Sequence, residues 1–369
     1  MTQLSHSAVS RYLQCARSYK YHYIDKLRTK VQSGALLFGS AIDEAFNSIL
    51  LEKGDPVQSF IQKWTFQEIN GVLENLTDNI KVVYANSDFD KSLLSSESKQ
   101  EIKQKAQLLG LDFSGPLDEE IDAVISAYKQ RQYKPLTEAT HKLYNYLNWI
   151  SLRHKGLLMI SKYIEVIKPK IKRVIDIQKK FTVSNNIDGD AIIGFIDAIV
   201  EWHDGRIVIL DHKTSSIEYE EDAVLTSPQL ALYVFALEAE VQTRTAGFIV
   251  FRKHILKNKI KICSKCSFDG SKSRAKTCDN TVEGQRCKGE WTETISPEAD
   301  VQILINEVPE QTEAIVIENF NDVLHLIKNQ TFPRNLNSCE GPYGKCPYFN
   351  LCWKGEDKDL ISAYKNGVK

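Results

Sequence analysis

Dense runs of Ile, Val and Leu flank an Asp204-Gly205 turn in the segment GFIDAIVEWHDGRIVILDHKTSS, from Gly194 to Ser216. Short apolar runs on either side of such a turn read as two buried strands joined by a tight hairpin. A second apolar run follows Thr226-Ser227-Pro228-Gln229 and lasts to about Val241. Ser before Pro at the head of this run marks a helix start, with Ser227 as cap and Pro228 in the first position. Ala246 to Arg252 reads as a further strand. Upstream, residues 1 to about 75 read as helices, with a break at Ser33-Gly34 and a turn at Gly54-Asp55-Pro56. Residues 76 to 137 are polar and mostly helical, broken at Gly110 to Pro116, and Leu143 to Val174 reads as one or two helices with a break near Pro169.

Into the apolar hairpin the sequence places two carboxylates and an amine: Asp197, Asp211 and Lys213. If the loop is His203-Asp204-Gly205, with Gly205 in the left-handed conformation, Trp202 pairs with Arg206 and Asp197 falls opposite Asp211. Lys213, two residues on, then points to the same face. A two-residue Asp-Gly turn would instead pair Asp197 with His212 and turn the carboxylates to opposite faces. In the first register like charges meet in a buried setting, which makes sense mainly with a divalent cation between them. Gln229 and Tyr233, four apart, share one face of the helix that follows.

Taken in order, Gly194-Phe-Ile-Asp197, Asp211-His-Lys213 and Gln229 to Tyr233 resemble the RecB-type branch of the PD-(D/E)XK nucleases, with its Gly-x-x-Asp, Asp-x-Lys and Gln-x-x-x-Tyr pattern. The run from Leu4 through Cys15 to Tyr21 looks like the opening helix of that branch's iron-sulfur members: the AddB nuclease subunit, the CRISPR-associated adaptation nucleases and exonuclease V. Phe38-Gly39-Ser-Ala-Ile-Asp43 is similar to a Gly-x-x-x-His motif whose His helps hold metal, and this chain carries Asp43 there. Asp is a competent ligand for a hard cation. The resemblance implies a restriction-endonuclease-like α/β core, a central mixed sheet flanked by helices, with a helical N-terminal region. It also implies Mg2+ or Mn2+ held by Asp197, Asp211, the His212 carbonyl and Asp43. Lys213 is then expected to orient the attacking water or neutralise charge on the phosphate, while Gln229 and Tyr233 position the water and the strand.

Eight cysteines divide evenly, Cys263, Cys266, Cys278 and Cys287 in one segment and Cys15, Cys339, Cys346 and Cys352 near the chain ends. With no signal peptide and no transmembrane run, the chain is expected to be cytoplasmic and its thiols reduced, so metal binding is expected before disulfides. The central set, Cys-x2-Cys-x11-Cys-x8-Cys, lies in a Gly, Ser and Lys-rich stretch that cannot build a core, where Zn2+ would let it fold. Arg252 to Lys288 holds eleven Lys or Arg against three acids, a candidate phosphate contact or a solvated surface. In the outer set Cys346 to Cys352 matches the closing Cys-x5-Cys of the branch's cluster motif, while six residues rather than two separate Cys339 from Cys346. Four thiolates suit a structural [4Fe-4S] cluster, with zinc as the alternative. Tyr12, Cys15, Tyr19 and Tyr23 follow helical spacing, which predicts a buried Cys15.

At 369 residues and 42% hydrophobic, without a long low-complexity linker, the chain reads as one elaborated core rather than two domains. Residues 1–253 and 294–369 would form the nuclease domain, closed by the outer cysteines as a C-terminal metal clamp, and 254–293 a zinc-ribbon-like insertion. A net charge of -1 gives no global attraction to nucleic acid, so any DNA path must be a local basic track. The expected function is a metal-dependent DNA nuclease, an exonuclease on single strands or free ends in DNA processing, recombination or repair, with no membrane association. Alternatives are a catalytically silent nucleic-acid scaffold and a sequence-specific restriction-type endonuclease. The resemblance also raises a helicase or recombination partner, since no Gly-x4-Gly-Lys-Ser/Thr phosphate loop supplies a motor in this chain.

Overall fold

A computed structural model describes residues 2–66, 81–84, 89, 91–130, 136–184, 190–341 and 344–362. A six-stranded mixed sheet forms its centre: β1 (Gln3–Leu4), β2 (Ile171–Ser184), β3 (Ala191–Trp202), β4 (Ile207–Ser215), β5 (Thr245–Cys263) and β6 (Trp291–Glu307). The order is β1-β3-β4-β5-β6, with β2 on the other edge of β3. β4 and β5 run parallel, joined by the crossover helix α4 (Pro228–Val241), and β2-β3, β3-β4 and β5-β6 are antiparallel. A parallel pair needs such a crossover, and Ser227 starts it as expected, its hydroxyl accepting the Leu230 N–H at 3.2 Å.

Each face of the sheet carries its own core. On one, Ala198, Val200, Val208, Leu210, Ile249 and Phe251 pack with Phe38, Ile42 and Phe46 of α2 (Gly34–Leu51) and Leu147, Ile150 and Ile160 of α3 (Glu138–Lys162). On the other, Ile196, Ile199, Ile209 and Val250 pack with α4, with Tyr12 and Val9 of α1 (His6–Gln14) and with Phe320 and Val323 of α5 (Glu310–Lys328). By length and composition α2 could cross a membrane, yet half of it is buried inside this protein.

Three expectations change. Ile171 to Val174 is strand, the start of β2: α3 runs out through an irregular turn at Tyr163–Ile167 and a 3-10 turn at Lys168–Lys170, where Pro169 removes an amide donor. The N-terminal region is not wholly helical, because Gln3–Leu4 adds a parallel strand to β3 and Leu27–Thr29 pairs with Leu360–Ser362. Cys15 interrupts the opening helix with an extended backbone (φ −163°) and is half-buried, so the buried Cys15 of a continuous helix is corrected. Expected structure at 67–80, 85–88, 90 and 131–135 lies outside the described residues.

Candidate active site and metal centres

The hairpin adopts the three-residue register. Gly205 has φ +88°, its N–H donates to Trp202 O at 2.9 Å, and Trp202 N–H donates to Arg206 O at 2.9 Å. A positive φ strains any side-chain-bearing residue, so glycine closes the loop. The ladder runs from Glu201↔Ile207 to Ala198↔Leu210, which brings Asp197 level with Asp211. There the strands part: Asp197 Oδ2 accepts the His212 backbone N–H at 2.8 Å, a carboxylate taking the place of a ladder carbonyl. Among the described residues β3 pairs again on this edge only at Ala191 and Ile192, with β1, so the carboxylates lie at a gap in the sheet.

Asp211 is 1% exposed. Its Oδ1 accepts from Gln229 Nε2 at 2.8 Å and from the Tyr233 hydroxyl at 3.3 Å, and Gln229 Oε1 accepts from Lys213 Nζ at 3.0 Å. Lys213 Nζ also stands 2.6 Å from the buried Asp211 Oδ2, an ion pair. Asp43, on α2, lies close enough for the charges of Asp197 and Asp211 to act on it, near Gly39, whose missing Cβ would lie 3.8 Å from Thr214 Oγ1 at the end of β4.

These carboxyls resist ionising together. Burial, then the charges of Asp197 and Asp211, pushes Asp43 up to about 7. Burial raises Asp211 to about 6 against the pull of Lys213, and raises Asp197 against the His212 amide. Burial pulls Lys213 down, but the Asp211 charge and hydrogen bond more than offset it. Hard oxygen donors and mutual repulsion fit a divalent cation. His212 turns its ring to the other face, where Nε2 meets the Tyr163 hydroxyl at 3.1 Å and burial lowers its pKa to about 4, so only its backbone faces the site.

Sequence reasoning missed four participants. His6 and Ser7, at the start of α1, line an open groove of about 630 Å3 with Asp197, Gln229, Tyr233, Phe181 and Phe195. Phe181 explains the glycine of Gly-x-x-Asp: a Cβ on Gly194 would lie 2.5 Å from its ring, and the two residues are cross-strand partners. Gln178 of β2, which stands across from Asp197 and favours its ionised form, has no motif to announce it. Lengthening the opening-helix reading by the alternation of β1 could have pointed to His6; nothing in the pattern points to Gln178.

Strands β5 and β6 run beyond the core as a two-stranded ribbon, paired from Leu256↔Glu298 to Cys263↔Trp291, after an irregularity at Lys253–His254. At its tip Cys263, Cys266, Cys278 and Cys287 hold their sulfurs within 4.8 Å of one another, with Cys263–Cys287 and Cys266–Cys278 at 3.6 Å. A tetrahedron with ~2.3 Å metal–sulfur arms has sulfurs ~3.8 Å apart, so this centre fits a metal. Lys272, Arg274 and Lys276 are exposed beside it. Cys15, Cys339, Cys346 and Cys352 line one small pocket. The six-residue spacing closes through a small hairpin, Glu340–Gly341 with Gly344–Lys345, in which Cys346 N–H donates to Cys339 O at 2.9 Å. Arg334 Nε donates to Cys352 Sγ at 3.2 Å, and none of the eight cysteines forms a disulfide.

The sequence model of the PD-(D/E)XK nuclease superfamily matches residues 3–353. No curated protein matches the chain. Among solved structures, the crystal structure of SSO0001 aligns over 66% of this chain and 92% of its own, at 13% identity and a TM-score of 0.24.

Proposed function

The chain belongs to the PD-(D/E)XK nuclease superfamily, and from that premise we propose a Mg2+- or Mn2+-dependent exonuclease of the RecB-type iron-sulfur branch that degrades DNA from free ends. The observation that carries this reading is Asp211, buried with one oxygen clamped by Gln229 and Tyr233 and the other ion-paired with Lys213, level with Asp197 on the neighbouring strand. Asp197, Asp211, the His212 carbonyl and Asp43 would hold the cation. When bound, the ion supplies positive charge to the scissile phosphate and makes water more acidic. Lys213, fixed by Gln229, sits where it can orient the attacking water and offset charge growing on the phosphate. Gln229 keeps Lys213 and Asp211 in one geometry, and Tyr233 carries the second bond to the same oxygen.

In the same reading, residues 1–253 and 294–369 are the nuclease domain and 254–293 a zinc-bearing insertion that tracks DNA phosphates. The outer cysteines hold a structural [4Fe-4S] cluster. The test is cleavage of end-labelled single- and double-stranded DNA, linear and circular, by the metal-replete protein and by Lys213→Ala and Asp211→Ala. Both variants should stay folded and lose at least about a hundredfold in rate, the size expected for removing a group that stabilises transition-state charge. Linear DNA should be cut from its ends and circular DNA left intact. Near-wild-type cleavage by either variant would remove the catalytic assignment, and cutting of circles would make the activity endonucleolytic.

A further inference from the structure

We infer that Gln178 is a positioning residue that sets Asp197 for metal, an inference that rests on the metal-dependent reading above. In the register of β2 and β3, Ile177 pairs with Ala198 and Lys179 with Ile196, so Gln178 stands across from Asp197. Its backbone is left-handed, φ +50°, inside a strand and on a residue that is not glycine. Side chains on a regular strand alternate faces, so residues two apart share one. Here they do not. Ile177 packs with the core of α2 and α3, while the Lys179 amine meets Glu240 of α4 at 2.7 Å and Phe181 joins the opposite core. The partner strand reverses at the same level, with Ala198 in the first core and Ile196 in the second.

Both strands therefore switch faces across the Gln178/Asp197 pair, the point at which β3 and β4 part. Asp197 lines the groove at the gap, where the His212 amide donates to its Oδ2 at 2.8 Å and the nearby Gln178 side chain favours the ionised carboxylate. Without these two neighbours a short carboxylate at a strand kink would have several rotamers. A strained backbone persists only where the surroundings over-determine it, and such strain concentrates at sites of function. Partners behind a metal ligand fix its orientation, and removing one typically lowers metal affinity about 10–100-fold.

The experiment separates strain from side chain. Gln178→Gly accepts φ +50° without penalty and removes the amide, and Gln178→Asn keeps an amide on a residue that also tolerates this backbone. Mn2+ affinity is measured by calorimetry and by electron paramagnetic resonance, with thermal melting alongside and Asp211→Asn as control. The expected result is a Gln178→Gly protein that melts no lower than wild type yet binds Mn2+ about 10–100-fold more weakly, with part of the loss recovered in Gln178→Asn. Wild-type Mn2+ affinity in Gln178→Gly, with binding lost in Asp211→Asn, would overturn the role of Gln178 and leave the nuclease reading standing. Equal Mn2+ binding by wild type and Asp211→Asn would overturn both.

Discussion

Asp211, in the role proposed for it, shows how the environment of a single carboxylate sets its terms. Burial holds its carboxyl near 6 and that of Asp43 near 7, both above the 3.8 of an unperturbed Asp. Raised folded-state values mean that the folded protein holds protons the unfolded chain has released. Below about pH 4 both states are protonated and the groups cost nothing; stability is lost as pH climbs towards 6 for Asp211 and 7 for Asp43, and the loss is then constant. In a chelator, Asp211→Asn should therefore melt above wild type at pH 8 and close to it at pH 4, and Mg2+ should reverse the order at pH 8 by stabilising only the wild type. Melting curves at the two pH values decide it; a variant that melts lower at pH 8 without metal would mean the site is not electrostatically frustrated. Most of this residue set was legible, because carboxylates and an amine in an apolar hairpin are chemically out of place. Gln178 was not, since a left-handed backbone leaves no mark on a residue type that is ordinary in strands.

Elements were legible where local chemistry and tertiary context agree. The Ser227-Pro228 start and the Asp204-Gly205 turn each act within a few residues, and both stand where the pattern puts them. β2 was hidden because register shifts between Ile171 and Arg173 and between Val174 and Asp176 break its two-residue period, so the eye joins it to the preceding helix. The ribbon was hidden for another reason: Lys257, Lys259 and Lys261 lie at alternate positions on strands that leave the core, so the segment shows no apolar run to mark it as strand. That alternation gives the ribbon a charged side and carries the cysteine tip away from the sheet. Replacing Lys272, Arg274 and Lys276 with Ala should weaken DNA binding about equally across sequences and flatten its salt dependence, since phosphate contacts release counterions without reading bases. Cleavage at saturating DNA should persist, as Asp197, Asp211 and Lys213 lie on β3 and β4. Affinity measured against salt, with parallel lines of equal height for wild type and variant, would exclude DNA as the target of the tip.

At the scale of the whole molecule the two chain ends hold each other. Asn335 and Ser338 donate to Gln14 O at 2.9 and 2.7 Å, Arg17 N–H donates to Pro333 O at 3.0 Å, and Tyr348 OH meets His22 Nδ1 at 2.9 Å. Leu360–Ser362 pairs with Leu27–Thr29, and the four outer cysteines close the same junction. The consequence reaches the candidate active site through α1, whose first residues, His6 and Ser7, line the groove beside Asp197 while its end leads into Cys15. A metal bound only by the folded protein stabilises it by mass action, so losing it should loosen both the junction and the seat of α1. Cys352→Ala should thus release the outer metal, bleach any iron-sulfur absorbance, lower the melting temperature and weaken DNA cleavage together. Cys266→Ala should release the ribbon's metal and leave the melting of the core and the outer metal in place, because that tip lies beyond the core sheet. Elemental analysis of both variants, beside their melting curves, tests the partition. Loss of both metals from either single variant would show one shared site or one cooperative unit, and the division of eight thiols into two independent centres would fall.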